Sequence, residues 1–141
     1  MVSGKYPPQP VIAVGGVVVH ENCVLLIRRG KEPARGEWAI PGGRVKLGET
    51  MREAVVREIK EETAVSVRPG KLVYYFETIQ PDSDGRIQYH YAIFDFKATY
   101  LAGEPMAHDD AMDARWVSPT EVKAYNLNTK TRDLLNRIGF I

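Results

Sequence analysis

The 141-residue sequence has few residues with soft or imidazole metal ligands, namely one cysteine, Cys23, and three histidines. A single cysteine excludes a disulfide framework and a zinc site built from several thiolates, and it favours a reducing, cytoplasmic location. Cys23 itself lies between apolar neighbours in a predicted strand, which is typical of a buried structural thiol. If the chain binds a metal, we therefore expect oxygen ligands.

The sequence also lacks an excess of charge and a long apolar run. Its 19 Lys and Arg residues are balanced by 18 Asp and Glu residues, which gives a formal net charge of +1. Bulk electrostatics therefore gives no support for a nucleic-acid or membrane partner. The longest apolar run, Val11 to Val19, is too short to span a bilayer. We expect neither a nucleic-acid partner nor a membrane partner.

Internal repeats, low-complexity segments and interdomain linkers are absent. A hydrophobic fraction of 44% and a length of 141 residues suit one domain with one core. Residues 1–9 are polar and contain Pro7 and Pro8, which predicts a flexible N-terminal arm. Residues 10–141 form the predicted single domain, of the α/β class.

Stretches rich in β-branched and aromatic residues predict two hairpins. Pro41-Gly42-Gly43 and Arg68-Pro69-Gly70 are predicted turns. An amphipathic pattern at the end of the chain predicts a helix over Leu127 to Ile138. The main predicted strands are Val11 to His20, Val24 to Arg29, Leu72 to Ile79 and Ile87 to Thr99.

A central helix is predicted from Thr50 to Thr63. Thr50 and Glu53 have the spacing of a capping box, in which each side chain bonds the backbone N–H of the other residue. Met51, Val55 and Ile59 recur every four residues and predict the face that packs on the core. Strands followed by this helix, more strands and a last helix favour a mixed sheet between helices.

Three carboxylates lie on one side of that helix, because Glu58, Glu61 and Glu62 are spaced at i, i+3 and i+4. Glu62 projects almost in line with the apolar face, so the cluster points toward the body of the protein. Adjacent buried carboxylates repel one another unless a hard cation such as Mg²⁺ lies among them. The alternative is a solvated acidic face paired with Arg57 and Lys60.

The spacing around these carboxylates resembles a known signature. Gly43, five residues, Glu49, seven residues and the segment 57–62 (REIKEE) match the motif of the Nudix hydrolases. The one departure is Ala64, which stands where the family has a glycine. A residue at that position usually adopts a left-handed backbone conformation, which costs an alanine roughly 1 kcal/mol or more. No carboxylate is lost, so we expect an effect on stability and not on activity.

The resemblance implies a Nudix α/β/α sandwich, with a mixed β-sheet between helices. It also implies hydrolysis of the diphosphate bond in a nucleoside diphosphate linked to another group, X, with Mg²⁺ as cofactor and Mn²⁺ as the alternative ion. Which glutamate deprotonates the attacking water stays open, because the protons of adjacent carboxylates belong to the cluster. The implied catalytic residues are Glu49, Arg57, Glu58 and Glu61, and the implied metal ligands are the Gly42 carbonyl, Glu58, Glu61 and Glu62.

Substrate phosphates are expected to meet cations and glycines at the edge of the predicted sheet. Arg28 and Arg29 end a predicted strand, and Gly43 allows a close approach of the backbone, so these three are the predicted substrate-binding residues. The alternative for the arginines is a solvated loop position. Asp109 or Asp110 is a further candidate, as a metal ligand or base from across the cleft.

The predicted partner is a small nucleotide, and the sequence leaves alternatives for its X group. Pro81 lies sixteen residues past Val65, as in ADP-ribose pyrophosphatases of the family, which favours an ADP-ribose-like substrate. Oxidised nucleoside triphosphates are the alternative, and a non-catalytic nucleotide sensor is a third reading. The aromatic strands are candidates both for stacking on a nucleobase and for the interface of a homodimer.

Overall fold

The computed structural model describes residues 4–141. Both predicted hairpins and the central helix are present, but the strand predicted from Leu72 begins six residues earlier, at Ser66. The strands are β1 Val11–His20, β2 Cys23–Arg29, β3 Trp38–Ala39, β4 Gly42–Arg44, β5 Ser66–Pro81, β6 Ile87–Ala102 and β7 Ala111–Val117. The helices are α1 Met51–Thr63 and α2 Thr129–Arg137, with a short 3-10 helix at Glu121–Ala124.

The strands form one mixed sheet of seven strands in the order β3-β2-β1-β6-β5. β1 and β6 are parallel over eight residue pairs, and their other neighbours are antiparallel. β4 pairs with the first half of β1, and β7 pairs with β2. β4 thus forms an edge of the sheet, and this edge lies beside the end of α1.

Each face of the sheet is covered by one helix. On one face, α1 inserts Val55 and Ile59 against Val14 and Val18 of β1. On the other face, α2 buries Leu134 and Leu135 in a second core that includes Val17 and Tyr74. This confirms the predicted arrangement of a mixed sheet between helices.

The structure corrects two of the predicted turns. Gly42 and Gly43 lie in strand β4, where they pair with Gly15 and Val14 of β1. The segment 68–70 lies within a β5 strand that is continuous from Ser66 to Pro81, and the pairing register shifts there instead of ending. In both places the glycine accommodates a close strand contact or a bulge, not a reversal of the chain. The last helix begins at Thr129, two residues later than predicted, with Asn128 as its N-cap.

Of the predicted N-terminal arm, residues 1–3 lie outside the described residues. Further along, the Tyr6 backbone N–H donates to the Gln88 carbonyl, and its hydroxyl donates to Asp82 at 2.7 Å. The guanidinium of Arg86 lies over the Tyr6 ring. Residues 4–9 thus contact the β5–β6 hairpin. Over the described range 4–141, neither helix is long and apolar enough to cross a membrane.

Candidate active site

The ends of α1 are fixed by local sequence. Thr50 and Glu53 form the predicted capping box, with both hydrogen bonds present. At the other end, Ala64 has φ +64° and ψ 8°, the left-handed conformation predicted for this position. Its N–H donates to the Lys60 carbonyl, which closes the last turn of the helix. These two caps set the length of α1 and hence the position of the carboxylates near its end.

The carboxylates of α1 open onto a large cleft of about 2250 Å³. The cleft passes the edge of the sheet at β4 and is bounded on its other sides by residues 4–10, the 29–34 loop and the start of α2. Predicted site residues that line it are Arg29, Gly42, Gly43, Arg57, Glu58, Glu61, Glu62, Asp109 and Asp110. The structure therefore brings most of the predicted residues to one place.

Arg57 connects three of the site's carboxylates. Its Nε and Nη2 donate to the two oxygens of Glu49 at 2.7 and 2.9 Å, which is a bidentate pair. Nη1 donates to Glu58 at 2.7 Å and to Glu61 at 3.3 Å. Nη2 also donates to the Arg44 carbonyl on β4. The hydrogen bond from Arg57 lowers the pKa of Glu49 to about 2. Glu49 is thus a fixed anion that orients Arg57.

Glu62 is the most buried of the cluster, with 8% of its surface exposed. Its Oε1 accepts a hydrogen bond of 2.8 Å from the Gly42 N–H. Burial raises the pKa of Glu62 to about 8, and the charge of Glu58 adds to the effect, while the Gly42 hydrogen bond opposes it. A carboxyl group with these surroundings retains a proton unless a positive charge is brought near it.

Glu58 lies against β4. A Cβ atom added at Gly43 would lie 2.3 Å from the Glu58 carboxyl carbon, so a side chain there would displace the carboxylate from its present position. Burial raises the pKa of Glu58, Arg57 lowers it, and Glu61 and Asp109 raise it further. Glu61 is more open, with 42% of its side chain exposed. Between residues 4 and 141, no three Asp, Glu, His or Cys side chains are close enough together to hold a metal ion as they stand.

The donor set nevertheless suits a hard cation. Glu58 and Glu61 share the Nη1 group of Arg57, and Glu62 accepts from the Gly42 N–H, so the three carboxylates face only two donors. One guanidinium cannot balance this much negative charge, which favours an additional cation. Oxygen ligands on one helix face beside a cleft are the chemistry that Mg²⁺ and Mn²⁺ accept.

The two predicted phosphate-binding arginines separate, because successive residues of a strand point to opposite faces. Arg29 lines the cleft, and its Nε donates to the Pro33 carbonyl. Arg28 is exposed, does not line the cleft and donates to the Gly36 carbonyl. On the far wall, Asp110 pairs with Lys31 at 2.9 Å. The structure thus brings Arg29, but not Arg28, to the other site residues.

The sequence analysis missed Asp95, a buried acidic residue of the cleft. Asp95 lies in the middle of β6 with 4% of its surface exposed, and it lines the same cleft. A signal was available, because a lone carboxylate between Phe94 and Phe96 in a long apolar strand is unusual. On the two aromatic strands proposed for stacking, Phe76, Tyr89 and Tyr91 line the cleft, whereas Tyr74 belongs to the core beneath α2.

Comparison with known proteins gives relatives that match more than three quarters of this chain. A protein named ADP-ribose pyrophosphatase from Methanocaldococcus jannaschii is 41% identical over 107 residues, which cover 76% of this chain and 61% of that protein. The chain therefore spans less than two thirds of that relative. A protein named nucleoside triphosphatase NudI from Salmonella paratyphi B is 31% identical over 136 residues, with 89% of this chain and 94% of that protein covered.

The fold and the family profile agree with these relatives. The crystal structure of a MutT Nudix hydrolase from Burkholderia pseudomallei matches with a TM-score of 0.79 and 27% identity, covering 92% of this chain and 98% of that one. The profile of the NUDIX domain matches residues 9–138 of the chain. A match over most of the chain, together with the carboxylate cluster on α1, confirms the resemblance seen in the sequence: the chain belongs to the Nudix family.

Proposed function

We propose that the protein is a pyrophosphohydrolase that depends on a divalent cation and cleaves the diphosphate bond of a nucleoside diphosphate linked to X. The observation that carries this proposal is the arrangement of Glu58, Glu61 and Glu62 along one wall of the cleft, with Arg57 anchored between them. A non-catalytic sensor would not require all three of these carboxylates. The site is too acidic to receive a diphosphate without a cation.

In this proposal each residue of the cluster has a distinct role. Glu58, Glu61 and Glu62, with the Gly42 carbonyl, would hold Mg²⁺ or Mn²⁺. Such an ion, when bound, neutralises phosphate charge and acidifies bound water. Glu61 is the most exposed of the three and suits the role of general base, with Glu58 as the alternative. Arg57, held by both oxygens of Glu49, positions the Glu58 carboxylate. Arg29 and Gly43 lie where substrate phosphates would enter.

For the X group we propose an ADP-ribose-like substrate. The relative from M. jannaschii that carries the name ADP-ribose pyrophosphatase supports this choice. Water would attack one phosphorus, and the products from ADP-ribose would be AMP and ribose 5-phosphate. The second candidate is hydrolysis of nucleoside triphosphates, including oxidised ones, to a monophosphate and pyrophosphate. The relative named nucleoside triphosphatase NudI favours this alternative.

The test is turnover of a substrate panel with Mg²⁺, followed by chromatography of the nucleotide products. The panel contains ADP-ribose, NADH, diadenosine polyphosphates, nucleotide sugars, and canonical and 8-oxo deoxynucleoside triphosphates. We expect ADP-ribose to react fastest, and Glu61→Gln and Glu62→Gln each to lower kcat about 100-fold or more. Glu104→Gln, an exposed carboxylate outside the cleft, is the matched control.

Two results would contradict the proposal. If no member of the panel is hydrolysed while a nucleotide still binds, the chain is a sensor. If hydrolysis occurs and survives both glutamine substitutions, the reaction takes place elsewhere in the protein. Faster turnover of a triphosphate than of ADP-ribose would leave the pyrophosphohydrolase in place and overturn only the assignment of X.

A further inference from the structure

Asp95 is a buried carboxyl group that the proposed hydrolysis does not use. It pairs across the sheet with Gly15 of β1 and Tyr74 of β5, so it points to the face that α2 covers. A Cβ atom at Gly15 would lie 2.4 Å from Asp95 Oδ1, and 3.0 Å from the Ile40 side chain. Because Gly15 has no side chain, the Asp95 carboxyl group can occupy this space.

No residue of the described chain, 4–141, gives Asp95 a hydrogen bond or an ion pair, although only 4% of its surface is exposed. No side-chain nitrogen or oxygen of the described residues is both fully shielded from solvent and unpaired, so the Asp95 oxygens are open to the cleft. A buried carboxyl group that lines a cleft without a partner in the protein is suited to a partner from outside it.

The position of Asp95 indicates which part of a substrate it can meet. Gly42, which bonds Glu62, pairs with Gly15, and Gly15 pairs with Asp95. Asp95 thus lies two strand spacings, about 10 Å, from Gly42. That distance is too long for contact with a diphosphate held at the glutamates, and a carboxyl group is the wrong partner for a phosphate. With the diphosphate at the glutamates, Asp95 lies in the part of the cleft that remains for the rest of the substrate.

The surroundings of Asp95 favour a flat, largely apolar group. Ile40, Phe76 and Ile93 line this part of the cleft. Phe76 and Ile93 pair with each other on the two strands that flank the site. A nucleobase has an apolar face for such walls and a hydrogen-bonding edge for a single polar residue at the end of the pocket.

The protonation state of Asp95 follows from burial alone, which raises its pKa to about 7. The neutral acid has one donor and one acceptor, whereas the ionised form only accepts. β1 contributes no ionisable side chain next to it. Ionisable groups on the other surrounding elements are Arg44 of β4, Tyr74 of β5, Lys97 of β6, and Lys130 and Asp133 of α2. None of them is responsible for the raised pKa.

We propose that Asp95 recognises the nucleobase of the substrate, its carboxylic acid donating to a ring nitrogen of adenine and accepting from the adjacent amino group. This inference rests on the proposed function, because it assigns the far half of the same substrate. The ionised carboxylate would instead accept from two donors, as the N1–H and amino group of guanine provide. Ionisation of Asp95 therefore shifts the preference of the cleft from adenine toward guanine.

The experiment compares ADP-glucose with GDP-glucose, which differ only in the base. Effects of pH on the glutamate cluster cancel in the ratio of the two kcat/KM values, because both substrates present the same diphosphate. In the wild type we expect this ratio to fall about 10-fold or more between pH 6 and pH 8. In Asp95→Asn, whose amide donates and accepts at every pH, we expect that the ratio no longer changes with pH.

Asp95→Leu keeps the branched shape of the side chain, although it is larger, and removes both hydrogen bonds. We expect KM for ADP-glucose to rise about 10-fold with little change in kcat, because the reacting end is untouched. Asp84→Asn, on the exposed β5–β6 loop, is the control that loses a carboxylate away from the cleft. An unchanged KM in Asp95→Leu, or a pH-dependent ratio that persists in Asp95→Asn, would overturn the inference. If Asp95→Leu fails to fold, the Asp95→Asn ratio decides.

A binding measurement can test the base contact independently of the proposed hydrolysis. Calorimetric titration with AMP and with GMP requires no hydrolysis. If no member of the substrate panel, ADP-ribose included, is turned over but Asp95→Leu still loses affinity for AMP about 10-fold, the base contact stands and the hydrolase proposal fails. If AMP binds the wild type and Asp95→Leu equally well while ADP-glucose is hydrolysed, the hydrolase proposal stands and the base contact is wrong.

Discussion

At the scale of single residues, the site depends on the geometry of Arg57. Its guanidinium holds both oxygens of Glu49, one of Glu58 and the Arg44 carbonyl at the same time. A lysine has a single nitrogen and cannot reproduce this planar fork. For Arg57→Lys we expect kcat to fall about 10-fold or more with KM little changed, since Glu58 loses its orientation. The free energy of unfolding should fall by about 1–3 kcal/mol.

The control for this prediction lies on the same helix. Arg52 donates from Nε to the Gly70 carbonyl and lies over the Phe96 ring, away from the cleft. Arg52→Lys makes the same chemical change outside the site, so kcat should stay at the wild-type value. Steady-state kinetics and urea denaturation of both variants provide the measurement. A wild-type kcat in Arg57→Lys would show that Glu58 does not need this support.

The sequence predicts residues of the site when their spacing is local. Glu58, Glu61 and Glu62 share one helix, and the capping box of Thr50 sets the position of that helix, so both could be inferred from intervals along the chain. For Asp95 the sequence offers only a lone carboxylate in an apolar strand, and its place in the site depends on Gly15 of β1 and on the cleft. Only the pairing of distant strands shows that its carboxyl group is buried and without a partner.

At the scale of elements, the end of α1 carries a local conflict that can be relieved. Ala64 adopts φ +64°, a conformation in which its Cβ is unfavourable and glycine is not. Ala64→Gly should therefore raise the free energy of unfolding by about 0.5–1 kcal/mol, with kcat unchanged because no carboxylate moves. Urea denaturation measures the first effect, and ADP-ribose turnover measures the second.

A glycine in the interior of the same helix should act in the opposite direction. Ala54 is fully buried in α1, where glycine loses a packed methyl group and gains chain entropy in the unfolded state. We expect Ala54→Gly to lower the free energy of unfolding by about 1 kcal/mol or more. Destabilisation by Ala64→Gly as well would mean that the alanine side chain makes a contact worth more than the strain.

The sequence analysis was wrong where it interpreted segments that contain glycine and proline as turns. Gly42 and Gly43 are strand residues because β4 packs so closely on β1 and α1 that a Cβ at Gly42 would lie 2.1 Å from the Val14 carbonyl oxygen. Pro69 stays in β5 because it pairs with Ala98 beside a shift of register. In both cases a neighbouring strand that is distant in the sequence determines whether the segment is a turn or a strand. Local sequence patterns do not reveal that neighbour.

At the scale of the whole molecule, the site couples the stability of the fold to protons and cations. Burial raises the pKa of Glu62 to about 8 and also raises that of Glu58. Without a cation, the folded protein keeps a proton that the unfolded chain releases above about pH 4.5. The contribution of Glu62 to the free energy of unfolding therefore falls as pH rises from about 4.5 to about 8. A cation at the carboxylates should reverse this loss.

The corresponding prediction concerns the melting temperature at a fixed concentration of Mg²⁺. Protons compete with the cation for Glu62, so the rise in melting temperature caused by Mg²⁺ should be small at about pH 6 and largest at about pH 8 and above. Removal of the ion with EDTA should restore the metal-free value. In Glu62→Gln the rise should largely disappear at every pH, whereas Glu104→Gln should behave as the wild type. A rise that is independent of pH, or that persists in Glu62→Gln, would place the stabilising cation at a different site.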